Sequence, residues 1–362
     1  MELAVMKFSS MPKKLRKGKN RPVLGLDIGS HSIKLMEFSN NGPNRQIRRI
    51  GMALVPHGTI VDGSIKEPDK VINVLASLIE NLSPKIGHCG ISIAGYSVIV
   101  KKVRVLYQDE RELEENLMFE AEKYVPFEIE DVYVDFHRLN RDNEQKNGME
   151  IFLVAAKREI VDSYANIIQE AGLMPAVVDV DAFAMGNAQE GAFGLVKDVT
   201  ILVDIGASKT NLNITASGQS LFARDMAFGG NQLTEAIQEA TGLDWKEAEQ
   251  TKIRGSEEQA LMKEVAPLCR EHCLLWASEV RKAIDFHISN SGLQEQPRHM
   301  LLSGGSALLK DLDRLFSRET GMTVKIFNPL ENYSVGKDID TEYVASVAPQ
   351  MVIATGLAMR TG

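Results

Sequence analysis

Apolar positions recur along the chain with two different periods, and these periods predict strands that alternate with helices. An apolar run at residues 23–29 ends in glycine, and the alternation resumes at 33–38 after a short polar turn, which predicts a strand, a turn and a strand. Helical spacing follows at residues 70–82. Further strands are predicted at residues 89–94 and 98–105.

A charged segment that begins at Asp109 and ends before Pro126 is predicted to be a helix. It is too charged to be buried on all sides, but one apolar stripe has helical spacing. This stripe consists of Leu113, Leu117, Met118, Ala121 and Tyr124. Two interpretations stay open: the stripe packs on the strands 98–105 and 132–139, or part of it binds a partner.

The rest of the chain continues the same alternation. Strands are predicted at residues 132–139, 151–156, 177–180, 200–206, 210–214 and 299–303. Helices are predicted at residues 160–171, 182–190, 232–241, 245–253, 265–289, 310–320 and 349–360. This alternation predicts an α/β fold, and the strand-turn-strand pairs add antiparallel neighbours, so each sheet should be mixed.

The opening strand-turn-strand pattern occurs a second time. Residues 202–212 match residues 25–35 at Asp-Ile-Gly and at the closing leucine. A repeat of this kind predicts two structurally related halves.

Composition narrows the class of function. With 362 residues, of which 44% are apolar, the chain is long enough for two domains with their own cores. The 49 acidic and 41 basic side chains give a net charge of −8, which argues against surface binding of nucleic-acid phosphates. Cys89, Cys269 and Cys273 have no paired-ligand spacing, so neither a disulfide framework nor a zinc site is predicted.

Residues 7–21 are basic with few apolar side chains, and residues 1–21 are predicted to be a disordered tail. Weak attraction of this tail to anionic lipid is an open alternative, but such a tail cannot anchor in a membrane by itself. No apolar run approaches the roughly 20 residues of a membrane-spanning helix, and the start of the chain lacks the apolar core of a secretory signal. We therefore expect the chain to act in the cytoplasm.

Each Asp-Ile-Gly segment places a carboxylate at the end of a buried strand, beside a glycine that lets the backbone turn closely around a ligand. Successive amides in such a turn form a positive nest for phosphate oxygens. Asp27 and Asp204 are then candidate partners of Mg²⁺, which takes one or two carboxylates plus substrate phosphates. The other candidates in these turns are Gly29, Ser30, Ser32, Lys34, Gly206, Ala207, Ser208, Lys209 and Thr210. A single turn also fits a plain hairpin, but the repeat favours a site.

A third glycine segment follows the predicted strand 299–303. Gly304 and Gly305 lack side chains, so a base and ribose could lie against the backbone there. A helix start capped by Ser306 is an equal alternative. Together with the two turns, this segment favours ATP as the ligand.

The order of the two Asp-Ile-Gly turns and the late Gly-Gly segment resembles that of the sugar-kinase, DnaK and actin superfamily. The chain is most similar to the bacterial branch that contains MreB, FtsA and the pilus-assembly family PilM. The similar segments are residues 22–38, 172–190, 200–237 and 298–324. The segments that favour the PilM family are residues 28–35, 120–127 and 178–184.

This resemblance implies an actin-like ATPase fold: two related lobes, with mixed sheets flanked by helices, around a nucleotide cleft, plus an FtsA-like inserted subdomain. The expected first lobe comprises residues 22–95 and 151–190, and the inserted subdomain 96–150. The expected second lobe comprises residues 191–345, and a helix at 346–362 returns to the first lobe.

The resemblance also implies roles for residues outside the turns. Asp181 would orient the attacking water, with Asp179 as the alternative, and aspartate is short enough that hydrolysis would be slow or absent. Glu279 and Lys282 match positions that approach the adenosine in relatives. A solvated ion pair is an equal alternative for these two side chains.

The function implied is that of a cytoplasmic ATP-binding component of type IV pilus assembly. It would be held at the inner membrane by a PilN-type protein, whose short cytoplasmic tail would bind at the inserted subdomain. A filament-forming protein like FtsA or MreB and a sugar-kinase-class phosphotransferase are the alternatives. No additional acceptor-site motif stands between the two phosphate turns. Homo-oligomerisation and service to a related secretion machine stay open.

Overall fold

The computed structural model describes residues 22–39, 45–95, 97–107, 109–139, 148–291 and 296–361. The predicted basic tail therefore lies outside the described residues. The strands are β1 (Leu24–Ile28), β2 (Ser32–Phe38), β3 (Gln46–Leu54), β4 (Ile60–Val61), β5 (Ser64–Ile65), β6 (His88–Ile93), β7 (Val98–Val105), β8 (Val132–Leu139), β9 (Met149–Lys157), β10 (Met174–Val180), β11 (Thr200–Ile205), β12 (Thr210–Ala216), β13 (Gln219–Met226), β14 (His299–Ser303), β15 (Thr323–Ile326) and β16 (Ser334–Val335).

The helices agree closely with the predicted ones. They are α1 (Pro68–Leu82), α2 (Glu110–Glu122), α3 (Arg158–Glu170), α4 (Asp181–Phe193), α5 (Gly230–Thr241), α6 (Trp245–Arg254), α7 (Gln259–Ser291), α8 (Leu312–Thr320), α9 (Thr341–Val347) and α10 (Val352–Ala358). The predicted helix 349–360 is shorter, because a 3₁₀ turn at Ala348–Gln350 precedes α10. No described helix is both long and apolar enough to cross a bilayer.

The chain divides into two compact units. The first comprises the described residues within 1–192, 332–344 and 353–362, and the second comprises those within 193–331 and 345–352. The last part of the chain thus alternates between the units, whereas the sequence predicted one return at residue 346.

The main sheet of the first unit has the strand order β10-β6-β1-β2-β3-β16. Strands β10, β6 and β1 run parallel to one another, and β2 is antiparallel to β1 and to β3. The sheet is therefore mixed, as predicted. Because parallel strands end at the same edge, residues that follow β1, β6 and β10 lie along one edge of this sheet.

The first unit also contains a smaller sheet with the order β7-β9-β8, all antiparallel. Helix α2 packs on this sheet, and Leu113, Leu117 and Ala121 are buried in its core. The expected boundary at residue 150 divides β9, which is the central strand. The inserted sheet therefore extends to Lys157, because removing β9 would leave β7 and β8 without a shared neighbour.

The apolar stripe of α2 is only partly used inside this sheet's core. Tyr124 packs against the core, but Met118 is not part of it and is 37% exposed. Phe119, outside the predicted stripe, is 63% exposed. Packing on the neighbouring strands thus accounts for most of the stripe and leaves these two side chains at the surface.

The sheet of the second unit has the strand order β13-β12-β11-β14-β15. Strands β11, β14 and β15 are parallel, whereas β12 and β13 are antiparallel neighbours, so this sheet is mixed as well. Its core includes Trp276 and Ile284 of α7 and Phe316 of α8, all fully buried.

The two β-hairpins that carry the sequence repeat have the same cross-strand register. In the first, Asp27 pairs with Lys34 and Ile28 with Ile33. In the second, Asp204 pairs with Asn211 and Ile205 with Thr210. The sequence repeat therefore corresponds to a repeated backbone geometry.

Candidate functional site

The first glycine turn joins β1 to β2 in the first unit. The Gly29 amide donates to the Ser32 carbonyl over 3.1 Å, and the His31 carbonyl accepts from the Val55 amide over 2.9 Å. A Cβ on Gly29 would lie 3.3 Å from the Ser32 carbonyl oxygen, so a side chain there would crowd the turn. Ser32 is buried, whereas Gly29 and Ser30 keep part of their surface exposed.

The carboxylate at this turn has a cation beside it. The Lys34 Nζ atom lies 2.8 Å from the Asp27 Oδ2 atom, and their side chains are 14% and 13% exposed. This ion pair joins directly opposite positions of β1 and β2. The predicted metal partner Asp27 and the predicted phosphate partner Lys34 are therefore brought together, and they neutralise each other.

Asp181 lies at the same sheet edge as the Gly29 turn, because β10, β6 and β1 are parallel and end there. Two strand spacings of about 4.8 Å separate β1 from β10. Asp181 is the first residue of α4 and is buried. The structure thus places this predicted water-orienting group at the edge of the sheet that carries the first glycine turn.

Asp179, the alternative water-orienting residue, belongs to a buried ion pair instead. Its Oδ2 atom accepts from Arg360 Nε over 2.7 Å and lies 2.6 Å from Arg360 Nη2. Both side chains are 1% exposed. Burial raises the pKa of the Asp179 carboxyl, while the Arg360 charge and the Val180 amide oppose that rise. Because Oδ1 accepts from the Val180 amide, both oxygens of Asp179 already have protein donors, which argues against the alternative.

The second glycine turn joins β11 to β12 in the second unit. The Gly206 amide donates to the Lys209 carbonyl over 3.0 Å, and the Thr210 hydroxyl donates to the Phe228 carbonyl over 2.9 Å. Thr210 is fully buried, so its hydroxyl supports the turn and is not free for a ligand. Gly206, Ala207, Ser208 and Lys209 are half-buried.

Asp204, at the end of β11, has a hydroxyl partner. The Ser303 hydroxyl donates to the Asp204 Oδ2 atom over 2.8 Å across the parallel strands β11 and β14. Both residues are buried. The Asp204 carboxylate thus accepts from a neutral donor, and it also makes a further interaction.

The third glycine segment packs against the end of β11. Gly304 has φ +88°, and a Cβ at this position would clash with the Ile205 carbonyl oxygen. Gly305–Leu308 forms a 3₁₀ turn with no side-chain cap, and α8 begins only at Leu312. The alternative in which Ser306 caps a helix is therefore wrong. Gly304 is instead required by a positive φ and a close backbone approach.

A second glycine pair, missed in the sequence, completes this region. The amides of Gly230 and Asn231 donate to the carbonyls of Gly206 and Ala207 over 2.9 and 2.8 Å. A Cβ on Gly229 would lie 2.6 Å from the Ala207 carbonyl oxygen, and one on Gly230 would lie 2.9 Å from the Ser306 hydroxyl. Two glycines directly before a predicted helix were the available signal.

Lys252 supports the same glycine pair from within the core. Its Nζ atom donates to the Gly230 carbonyl (3.1 Å), the Thr234 hydroxyl (2.9 Å) and the Glu249 carboxylate (2.6 Å). Burial lowers the pKa of the Lys252 ammonium, and Glu249 opposes this decrease. A buried ammonium with three partners holds the start of α5 against the second turn.

Glu279 and Lys282 form an ion pair on α7 with a distance of 2.7 Å. Their side chains are 41% and 68% exposed. The geometry is that of the solvated i, i+3 pair, and the nucleotide role implied by the resemblance stays a prediction.

The described residues do not by themselves form a metal site. Among the described residues, no group of three or more His, Cys, Asp or Glu side chains could hold a metal ion. Asp27 already pairs with Lys34, whereas Asp204 has a hydroxyl partner. One carboxylate plus phosphate oxygens and water is a common environment for Mg²⁺. Asp204 is the carboxylate that faces no lysine across its own hairpin, and it stays the candidate for this role.

Solved structures with the same fold include a pilus biogenesis complex and a nucleotide-bound MreB5. The PilM–PilN type IV pilus biogenesis complex matches with a TM-score of 0.83 and 28% identity, covering 94% of this chain and 99% of that one. MreB5 of Spiroplasma citri bound to AMPPNP matches with a TM-score of 0.50 and 12% identity, covering 94% and 95%. The architecture is therefore the predicted actin-like ATPase fold.

Comparison of sequences agrees with the fold. Cell division protein FtsA of Streptococcus pneumoniae is 23% identical over 351 residues, which cover 84% of this chain and 75% of FtsA. The profile of the family described as type IV pilus assembly protein PilM matches residues 25–362. With its hairpin repeat, its inserted sheet and a family match over nearly its whole length, the chain belongs to the PilM family of type IV pilus assembly proteins.

Proposed function

We propose that this protein binds ATP with Mg²⁺ and, in type IV pilus assembly, binds the short cytoplasmic tail of a PilN-type membrane protein. The observation that carries the nucleotide part is the repeated hairpin register, in which each unit ends a buried strand with a carboxylate and a glycine turn. MreB5, which has the same fold, is bound to AMPPNP in its structure. Repeated turns of this kind suit phosphate binding better than they suit ordinary hairpins.

The residues divide into phosphate, metal and adenosine roles. The amides of the two turns bind phosphate oxygens, and Lys34 adds a positive charge at the first turn. Asp204 binds Mg²⁺ directly or through water. The backbone at Gly304 and Gly305 accommodates the adenosine, because neither residue presents a side chain.

The nucleotide acts mainly as a structural ligand or a slow switch. Asp181 is the group at the first turn's sheet edge that could orient water, and its side chain is short and buried. Binding alone stabilises the folded chain by mass action, whether or not hydrolysis follows. Thermal unfolding with Mg²⁺–ATP tests this: we expect a higher melting temperature with ATP and with a non-hydrolysable analogue alike.

The partner part rests on the inserted sheet of the first unit. Leu106, which follows β7, is 85% exposed, and Phe119 of α2 is 63% exposed with Lys123 Nζ 4.8 Å from its ring centroid. Strand β7 is an edge of its sheet, so its outer backbone groups could pair with an extended peptide. The structure of a similar protein is that of a PilM–PilN complex.

Calorimetry with a synthetic PilN-type tail peptide tests this surface. We expect Phe119→Ser to weaken peptide binding at least about tenfold, because a buried aromatic anchor contributes over 1 kcal/mol. The matched control is Phe286→Ser on α7, since Phe286 is 62% exposed and lies in the second unit. Equal affinities for both variants would place the peptide elsewhere.

A further inference from the structure

A buried ion pair joins Asp179, near the end of β10, to Arg360, which lies two residues after α10. Asp179 uses both carboxylate oxygens: Oδ1 accepts from the Val180 amide over 2.8 Å, and Oδ2 accepts from Arg360. Arg360 is held in turn by its own amide, which donates to the Leu357 carbonyl over 3.0 Å. Both side chains are buried.

Helix α10, which ends two residues before Arg360, is closely packed on two sides. A Cβ on Gly25 of β1 would clash with the Ala354 carbonyl oxygen. On its other side, a Cβ on Gly356 would clash with the Ala184 carbonyl oxygen of α4. The helix is therefore packed directly between β1 and α4, and its end fixes the position of the guanidinium.

Asp181 begins α4 two residues after Asp179, with Val180 between them. The direction in which α4 leaves the sheet therefore depends on how β10 ends. Two interactions hold that end: the hydrogen bond from the Val180 amide to the Asp179 carboxylate, and the ion pair between Asp179 and Arg360. We propose that Arg360 is a positioning residue, which through Asp179 sets the place of the Asp181 carboxylate at the edge that carries the Gly29 turn.

This proposal rests on the proposed nucleotide function. Substituting Arg360 by a neutral side chain leaves a buried carboxylate without its cation, and Asp179 then takes up a proton or turns away. Either response changes the start of α4. Arg360→Lys keeps the charge but cannot place two nitrogens beside the Asp179 carboxylate, so it should restore part of the positioning of Asp181.

The test compares a ground-state ligand with a transition-state mimic. The affinity of the full chain for Mg²⁺–ADP is measured with and without aluminium fluoride. Aluminium fluoride mimics the phosphoryl group in the transition state together with its attacking water, so a carboxylate that orients this water should strengthen its binding. We expect fluoride to tighten ADP binding in the unaltered protein, and Asp181→Asn to remove that gain. Arg360→Met should reduce the gain on the order of 10-fold to 100-fold while leaving ADP affinity nearly unchanged.

Three further variants separate positioning from stability. Arg360→Lys should recover part of the fluoride gain, and the double variant Asp179→Asn, Arg360→Met should fold, because no charge is left buried, yet lack the gain. Arg48→Met is the matched control: Arg48 lies 3.4 Å from the fully buried Glu37 carboxylate, away from α4. It should keep the gain.

The outcomes are distinct. A full fluoride gain in the folded double variant overturns the proposal, as does fluoride failing to tighten ADP binding in the unaltered protein. Absence of ADP binding in the unaltered protein contradicts the proposed nucleotide function itself, and the positioning role falls with it.

Discussion

The two hairpins β1–β2 and β11–β12 share a backbone but differ in the charge around their carboxylates. Asp27 faces the ammonium of Lys34 across its hairpin, whereas the matching position opposite Asp204 is Asn211. Asp204 is instead bonded by the Ser303 hydroxyl from the neighbouring parallel strand. A repeat can thus fix the geometry of two turns while the facing side chains differ, with a lysine opposite Asp27 and an asparagine opposite Asp204.

The same difference extends to how the turns are supported. The first turn is closed by its own hairpin and by the residue that follows β3, through the hydrogen bond from the Val55 amide to the His31 carbonyl. The second is enclosed by two further glycine segments, at Gly229 and at Gly304, each too close for a side chain. The second turn should therefore tolerate much less substitution.

The largest effect is expected at Gly304. Gly304→Val forces a β-branched residue to φ +88° and places its Cβ against the Ile205 carbonyl, so we expect a loss of about 3 kcal/mol or more in the free energy of unfolding. Urea unfolding measures it. Gly29→Ala, whose φ is not positive, should cost well under half as much. Equal costs would contradict the asymmetry between the turns.

Lys252→Met should have the next largest effect on stability. It removes the ammonium from the Gly230 carbonyl and leaves Glu249, whose side chain is 20% exposed, without its cation, which should cost about 2 to 3 kcal/mol of stability. Lys282→Met removes the same partner from an exposed pair and should cost less than about 0.5 kcal/mol. Thermal unfolding of both variants distinguishes the buried pair from the exposed one.

Lys34→Met tests the cation of the first turn. It should weaken ATP binding by about 2 kcal/mol, or on the order of 30-fold, because a charge-assisted bond to phosphate is lost and Asp27 is no longer neutralised. Titration with a fluorescent ATP analogue at two salt concentrations measures it. Asn211→Met, at the matching position of the second hairpin, should leave the salt dependence of ATP binding unchanged.

Ser303→Ala gives the smallest expected effect. The Asp204 carboxylate loses one donor and should become a slightly better metal partner, while the protein loses about 1 to 1.5 kcal/mol of stability. The Mg²⁺ concentration that half-saturates ATP binding is the measurement. A strongly weakened Mg²⁺ dependence would show that the hydroxyl itself, and not the carboxylate, serves the metal.

The sequence was informative where the backbone decides the chemistry. Gly29, Gly206 and Gly304 were found because each follows a strand and a close turn needs a glycine. Glu249 with Lys252 and Glu279 with Lys282 have the same i, i+3 spacing, and spacing alone cannot tell the buried pair from the exposed one. Burial depends on how α6 and α7 pack, which is a tertiary property.

Two strands were also misjudged from the sequence, again because their place depends on tertiary packing. Strand β9 was correctly predicted but assigned to the wrong sheet, because its apolar run is equally suited to either. Strand β3 was not predicted at all: Arg48 and Arg49 interrupt its alternation, and only the structure shows that Arg49 bonds the Leu82 carbonyl at the end of α1.

The packing of α10 against β1 has a consequence for synthesis on the ribosome. Strand β1 is made early, but the helix that covers its Gly25 face is made some 330 residues later, which takes roughly 15 to 65 s at usual elongation rates. The core of the second unit, whose residues lie between Val199 and Val324, can form before then. A chain released before α10 would therefore carry a formed core in the second unit and a first sheet whose Gly25 face lacks this helix.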